Sequence, residues 1–182
     1  GQEQSMMRHG DWYEPGPGYG NASYWKPAAL MIALREVMGQ DVWEEAYRTF
    51  ISEWAYKHPT PWDFFATFER FAEEDLDWFW TAFYYETWTL DHAVREVRPL
   101  TGGGARIIID DLGMAPFPAT VRIRTSTRQD LTHEIPVDHW LAGNTTYEIE
   151  VEPGVGAVTR VEVDPSGYAP DIDRTNNFWP QG

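Results

Sequence analysis

Eight of the ten tryptophans lie before residue 93, in stretches where apolar side chains recur every three or four positions. Beyond that point, short β-branched runs alternate with glycine- and proline-containing breaks. A period near 3.6 buries one stripe of a helix, and a period of two buries one face of a strand. The pattern predicts an α+β chain in which helices come first and strands follow. We expect a helical lobe over 1–96 and an antiparallel β-sandwich over 97–182, with 100–104 as the linker.

The helical half has readable punctuation. Residues 1–22 contain Pro15, Pro17, Gly16, Gly18 and Gly20, so they read as loop. Ser23 is the expected N-cap of a first helix, with Pro27 tolerated in its opening turn. Leu30, Ala33, Leu34, Val37 and Met38 make its apolar stripe, and Gly39 ends it. Asp41 is the expected cap of a second helix, whose buried face reads Val42, Trp43, Ala46, Tyr47, Phe50, Ile51 and Trp54. Thr60-Pro61 opens a third helix carrying Phe64, Phe65, Phe68 and Phe71, and Asp75 opens a fourth through Trp78, Phe79, Ala82 and Phe83. Short connections predict an antiparallel helical array.

In the second half, runs at 93–97, 105–110, 119–125, 132–137, 145–151 and 158–163 read as strands. Gly102-Gly103-Gly104, Gly113, Gly143-Asn144 and Pro153-Gly154 separate them. Regular short strands without intervening helices predict the sandwich.

Charge and composition exclude several function classes. The net charge of -15 repels phosphate backbones and anionic lipid, so neither nucleic acid nor a membrane surface is an expected partner. No apolar run approaches the ~20 residues that span a bilayer. With no cysteine, disulfides and thiolate catalysis are excluded. Gly1-Gln2-Glu3-Gln4 shows neither a basic nor an apolar leader region.

One ordered set of segments carries chemistry. Ser23-Tyr24-Trp25-Lys26-Pro27-Ala28, with Leu30 and Leu34 behind it, places a tyrosine just before an amphipathic helix. Gly39 follows, then the run from Tyr56-Lys57-His58-Pro59 to Phe65, then Asp75-Leu76-Asp77-Trp78-Phe79-Trp80, then Leu90-Asp91-His92-Ala93-Val94. The chain closes on Pro170-Asp171-Ile172-Asp173-Arg174-Thr175-Asn176-Asn177-Phe178-Trp179. In this order the segments resemble the aminopeptidase N-like zinc metallopeptidases, the gluzincins, over nearly the whole chain and most strongly over 22–94.

The resemblance implies the C-terminal portion of such an enzyme: the end of a thermolysin-like catalytic domain followed by a β domain. It implies that Tyr24 is the catalytic tyrosine that donates a hydrogen bond to the carbonyl oxygen of a peptide substrate as charge builds there. It also implies zinc as the cofactor of the full-length protein, with none held by this fragment, because no H-E-x-x-H motif occurs in the 182 residues. The zinc ligands and general base would belong to the upstream part of the same polypeptide, and the fragment alone would be inactive. Tyr19, Trp25 and His9 are the expected substrate-binding residues, and no residue of this chain is expected to bind metal. A second reading keeps the scaffold without the catalysis, as a peptidase-like module that binds peptide or a protein partner. A third, an autonomous carbohydrate- or protein-binding sandwich, leaves the ordered segments unexplained.

Other groups read as structure. On residues alone, Tyr24 itself reads as packing with a wet hydroxyl. His133-Glu134 is followed by His139 with Pro136 between, a spacing unlike zinc ligands four apart on one helix. In a strand the two histidines would share a face roughly 20 Å apart, at ~3.3 Å per residue. His58 reads as a residue at a helix start and His92 as structural. Asp171 to Asn176 lacks the glycine and glutamate of a calcium loop and reads as a solvated tail held by Phe178 and Trp179. Asp75/Asp77 and Asp110/Asp111 read as capping or solvated pairs. Gly102-Gly103-Gly104 lacks the Lys-Ser/Thr of a phosphate loop.

Overall fold

A computed structural model describes residues 3–14, 16–72 and 74–180. The chain divides into two compact units, Gly1–Thr87 and Trp88–Gly182. The first is helical and the second is a sandwich of two antiparallel sheets, so the fold class is α+β.

In the first unit, α1 (Pro17–Gly20), a π-helical segment (Asn21–Trp25) and α2 (Lys26–Met38) follow one another without a break. Residues 17–20 are thus helix rather than loop. Pro17 at the first helical position lacks only an N–H that would have no partner there, and Gly16, at φ 133°, makes the bend before it. Ser23 therefore lies inside a helix and caps nothing. The wide turn has a chemical cause. Pro27 supplies no N–H, and its ring would crowd the carbonyl four residues back in a regular helix. A π turn relieves that crowding, and the Lys26 N–H duly reaches back five residues to Asn21.

Gly39, at φ 79°, ends α2 and begins α3 (Gln40–Trp54), so Asp41 sits in the first turn instead of at the cap. The expected Thr60 cap of α4 (Pro61–Ala72) is present. Thr60 donates its N–H and hydroxyl to Asp63 Oδ2 at 2.7 and 2.6 Å, and Asp63 N–H leans back to Thr60 Oγ1 at 3.4 Å. Asp75 Oδ1 accepts the N–H of Asp77, where α5 (Asp77–Trp80) starts and passes into a second π segment, Thr81–Tyr85. The core of the unit is aromatic. Phe65 stacks on Trp80 with centroids 4.3 Å apart, Phe68 lies 4.3 Å from Phe64, and Trp80 donates its Nε1–H to Glu69 at 2.6 Å.

The second unit pairs β1 (His92–Pro99), β2 (Ala105–Asp111) and β5 (Thr146–Val151) in the order β1-β2-β5. Its other sheet runs β4-β3-β6-β7, from β3 (Ala119–Thr125), β4 (Asp130–Ile135), β6 (Val158–Val163) and β7 (Phe178–Trp179). Ile107, Ile109 and Ile149 of one sheet and Val121, Ile123, Val161 and Val163 of the other share one buried core. Alternation is clean on β3, where Ala119, Val121 and Ile123 face inward.

The second unit departs from the sequence expectation at three places. Residues 100–104 are the turn of the β1–β2 hairpin, closed by Leu100 N–H to Gly104 O at 3.2 Å, and link no domains. The run at 132–137 is not one strand. Pro136 cannot continue the ladder, so β4 stops at Ile135 and a short helix α6 (Val137–Leu141) drives Trp140 into the core. The tail is not merely solvated: Asp171 Oδ2 accepts the N–H of His92 and the side chain of Asn177, and β7 pairs with β6.

Candidate active site

Tyr24 sits in the π segment at the head of α2, with 66% of its surface exposed. A helix surface with no further support leaves a phenol several rotamers, so the neighbours that confine it matter. Tyr19 is that neighbour. Its ring meets Tyr24 edge-on, with centroids 6.4 Å apart and planes at 80°. Tyr13 meets Tyr19 in the same way, at 5.3 Å and 75°. Residues five apart, such as 19 and 24, point about 140° away from each other around an α-helix. A turn closed by a bond to the fifth residue back brings them toward one face. The wide turn and the ring contact are thus consequences of the same geometry.

The inner end of the tyrosine row is tied down. Tyr13 donates its hydroxyl to the Ser5 carbonyl at 3.0 Å, and burial raises its phenol above the ordinary value. The Ser5 hydroxyl and the Met6 N–H both donate to the carbonyl of Tyr84, each at 3.1 Å. Tyr84 belongs to the second π segment and is buried, which pushes its own phenol up. Lys26, two residues after Tyr24, places Nζ 2.5 Å from Glu3 Oε1 and 3.4 Å from the Glu86 carbonyl. The segment before α1 therefore straps the first π segment to the second.

The other expected site residues fall into different roles. Trp25, at 76% exposure, and Trp12 present open indole faces. His9 caps the 3-10 turn Gly10–Trp12: its Nδ1 accepts the N–H of Asp11 at 3.3 Å and lies 3.7 Å from that residue's carboxylate. His58 is exposed, and His92 is buried in the second unit.

The structure also opens an apolar cavity of about 300 Å³ in the first unit, lined among others by Met6, Pro27, Met31, Phe64 and Tyr84. Sequence reading missed it. The signal available was Met6-Met7, an apolar pair in a stretch that otherwise reads as loop.

Among the described residues, no group of three or more His, Asp or Glu side chains could hold a metal ion. His133 and His139 do converge, contrary to the strand reading, because α6 turns the chain back. His133 Nε2 lies 3.1 Å from the Tyr147 hydroxyl, and the His139 ring lies 4.7 Å from the Tyr147 ring. His139 Nε2 is taken by the Thr146 carbonyl at 2.9 Å, and both imidazoles pack against the Tyr147 ring. The pair packs an aromatic cluster and does not fit a zinc cage.

No family model matches the chain, and no curated protein matches it. Among solved structures, the crystal structure of Legionella pneumophila aminopeptidase A in complex with aspartic acid is similar to it, with a TM-score of 0.64 and 17% identity. The match covers 93% of this chain and 20% of the aminopeptidase. At that identity the likeness is one of fold, and the chain spans about a fifth of the length of that neighbour.

Proposed function

We propose that the chain is the C-terminal part of a zinc-dependent aminopeptidase of the gluzincin type, and that its first unit completes the catalytic domain by supplying Tyr24. The observation that carries this reading is the presentation of Tyr24: an exposed phenol on a π turn at the head of α2, braced from behind by a second ring. π turns recur at functional sites because they re-aim a side chain at a cost in regular helix bonding. The fold likeness to an aminopeptidase over nearly the whole chain supports the same reading.

In this proposal the Tyr24 hydroxyl donates a hydrogen bond to the scissile carbonyl oxygen. The bond strengthens as that oxygen gains negative charge in the tetrahedral intermediate. A donor placed for the transition state is worth about 10²–10³ in rate. Trp25 and His9 are proposed to border the peptide substrate, Trp25 with the more open face, while the Tyr19 ring lies against Tyr24. Zinc and the general base are assigned to the upstream part of the same polypeptide, since the resemblance calls for an H-E-x-x-H motif and none occurs in the 182 residues.

The test is kcat and KM of the full-length protein on fluorogenic aminoacyl substrates, for wild type and Tyr24→Phe. We expect about 10²-fold or more to be lost from kcat with KM little changed. Equal activity in both removes Tyr24 from the mechanism. A wild type that is inert with zinc supplied points to a non-catalytic scaffold that binds peptide or a protein. The isolated chain should hydrolyse no peptide, and chelator-sensitive cleavage by it would contradict the assignment of the metal site upstream.

A further inference from the structure

We infer that Tyr19 and Tyr13 are positioning residues for Tyr24: a row of edge-on rings, anchored at its inner end to the second π segment, sets the direction in which the Tyr24 hydroxyl is offered. The inference rests on reading Tyr24 as the hydrogen-bond donor of the proposed function. It changes the part assigned to Tyr19, from touching substrate to acting through its neighbour.

Each link in the row is directional. An edge-on contact sets the positive rim of one ring toward the negative face of the next, an arrangement that aromatic pairs prefer. Tyr24 takes that contact from Tyr19, and Tyr19 takes it from Tyr13. Tyr13 is held in turn by its hydrogen bond to the Ser5 carbonyl. The Ser5 hydroxyl and the Met6 N–H fix that stretch of backbone to the carbonyl of buried Tyr84. A phenol with two-thirds of its surface in solvent is thereby referred, through four contacts, to a residue in the core. The need for such a device follows from the chemistry: a donor displaced by about 1 Å loses on the order of 10²-fold in rate.

The π turn and the proline that follows it serve the same end. The i→i+5 closure brings positions 19 and 24 toward one face, and Pro27 prevents the turn from relaxing into regular α-helix.

A double-mutant cycle in the full-length protein tests this. Tyr19→Leu removes the ring, Tyr19→Phe keeps it, and Tyr13→Phe removes the anchoring hydroxyl. Each is made in wild type and in the Tyr24→Phe background, and kcat and KM on an aminoacyl substrate are measured. We expect Tyr19→Leu to lower kcat about tenfold with KM within about twofold, Tyr19→Phe to recover most of that loss, and Tyr13→Phe to fall between. In the Tyr24→Phe background, Tyr19→Leu should cost nothing further, because partners acting as one unit are not additive. A rise in KM with kcat unchanged makes Tyr19 a wall of the substrate site and overturns the inference. Equal losses in both backgrounds do the same. If Tyr19→Leu does not fold, the cycle is read from Tyr13→Phe, whose effect must likewise vanish in the Tyr24→Phe background. Should Tyr24→Phe be as active as wild type, the functional reading fails first and this inference falls with it.

Discussion

Lys26 Nζ lies 2.5 Å from Glu3 Oε1 with only 12% of the lysine side chain exposed, so a largely buried cation ties the start of the described chain to the head of α2. Removing one partner leaves the other charge poorly solvated. Glu3 keeps about a third of its surface in water, which limits the cost. We expect Lys26→Met to destabilise the helical unit by about 1–2 kcal/mol and Lys26→Arg by less. Urea titration followed by tryptophan fluorescence reads the difference, and no shift in midpoint for Lys26→Met would contradict the strap.

Stability should depend on pH through His92. Burial holds its imidazole down to about 4, although Asp91 and Asp164 pull the other way. The ring packs 5.1 Å from Trp140, and its Nε2 is buried with no hydrogen-bond partner among the described residues. Its folded value lies below the ordinary 6.5, so its contribution is complete above pH 6.5 and is lost as pH falls through about 4. The loss is at most about 3 kcal/mol. Asp111 acts with the opposite sign: burial, aided by Asp91 and Asp171, pushes its carboxyl up to about 6, so its contribution is complete below the ordinary 3.8 and is lost as pH rises through about 6. Urea midpoints between pH 7 and 4 should fall less for His92→Phe than for wild type, and more for Asp111→Asn. Parallel curves for all three would refute the assignment.

The β1–β2 turn gives a contrast between two glycines. Gly104 has φ 79°, and a Cβ there would lie 2.2 Å from the Val151 carbonyl oxygen, at the end of the neighbouring strand β5. Gly102 has φ 95° with open space around it. Gly104→Ala should cost roughly 3 kcal/mol because a sheet backbone must move, whereas Gly102→Ala should cost about 1 kcal/mol of backbone strain alone. Thermal melts of the two variants decide it, and equal costs would mean that the close approach is relieved cheaply.

Phe68 is fully buried against Phe64 and Trp43. Phe68→Ala should remove about 3–5 kcal/mol from the helical unit. Ile109→Ala, in the sandwich core, should remove about 2–5 kcal/mol from the second unit. Hydrogen exchange resolved by segment separates the two effects. Loss of protection confined to the wrong unit would contradict the division at Thr87/Trp88.

Sequence by itself determined what depends on neighbours along the chain. Leu30, Ala33 and Leu34 at helical spacing, the Thr60-x-x-Asp63 cap, and the alternation of Ala119, Val121 and Ile123 each announce an element through contacts a few residues apart. The order of helical and sandwich parts was legible for the same reason. Tertiary structure decided the rest. Residues 17–20 look like loop because glycine and proline penalise an isolated helix, yet the helix forms once Gly18 is buried against the unit. The tyrosine row, the Lys26 strap and the meeting of His133 with His139 around Tyr147 all join positions whose partners are set by packing. Local propensity cannot encode them, because their free energy comes from groups that approach only after the chain has folded.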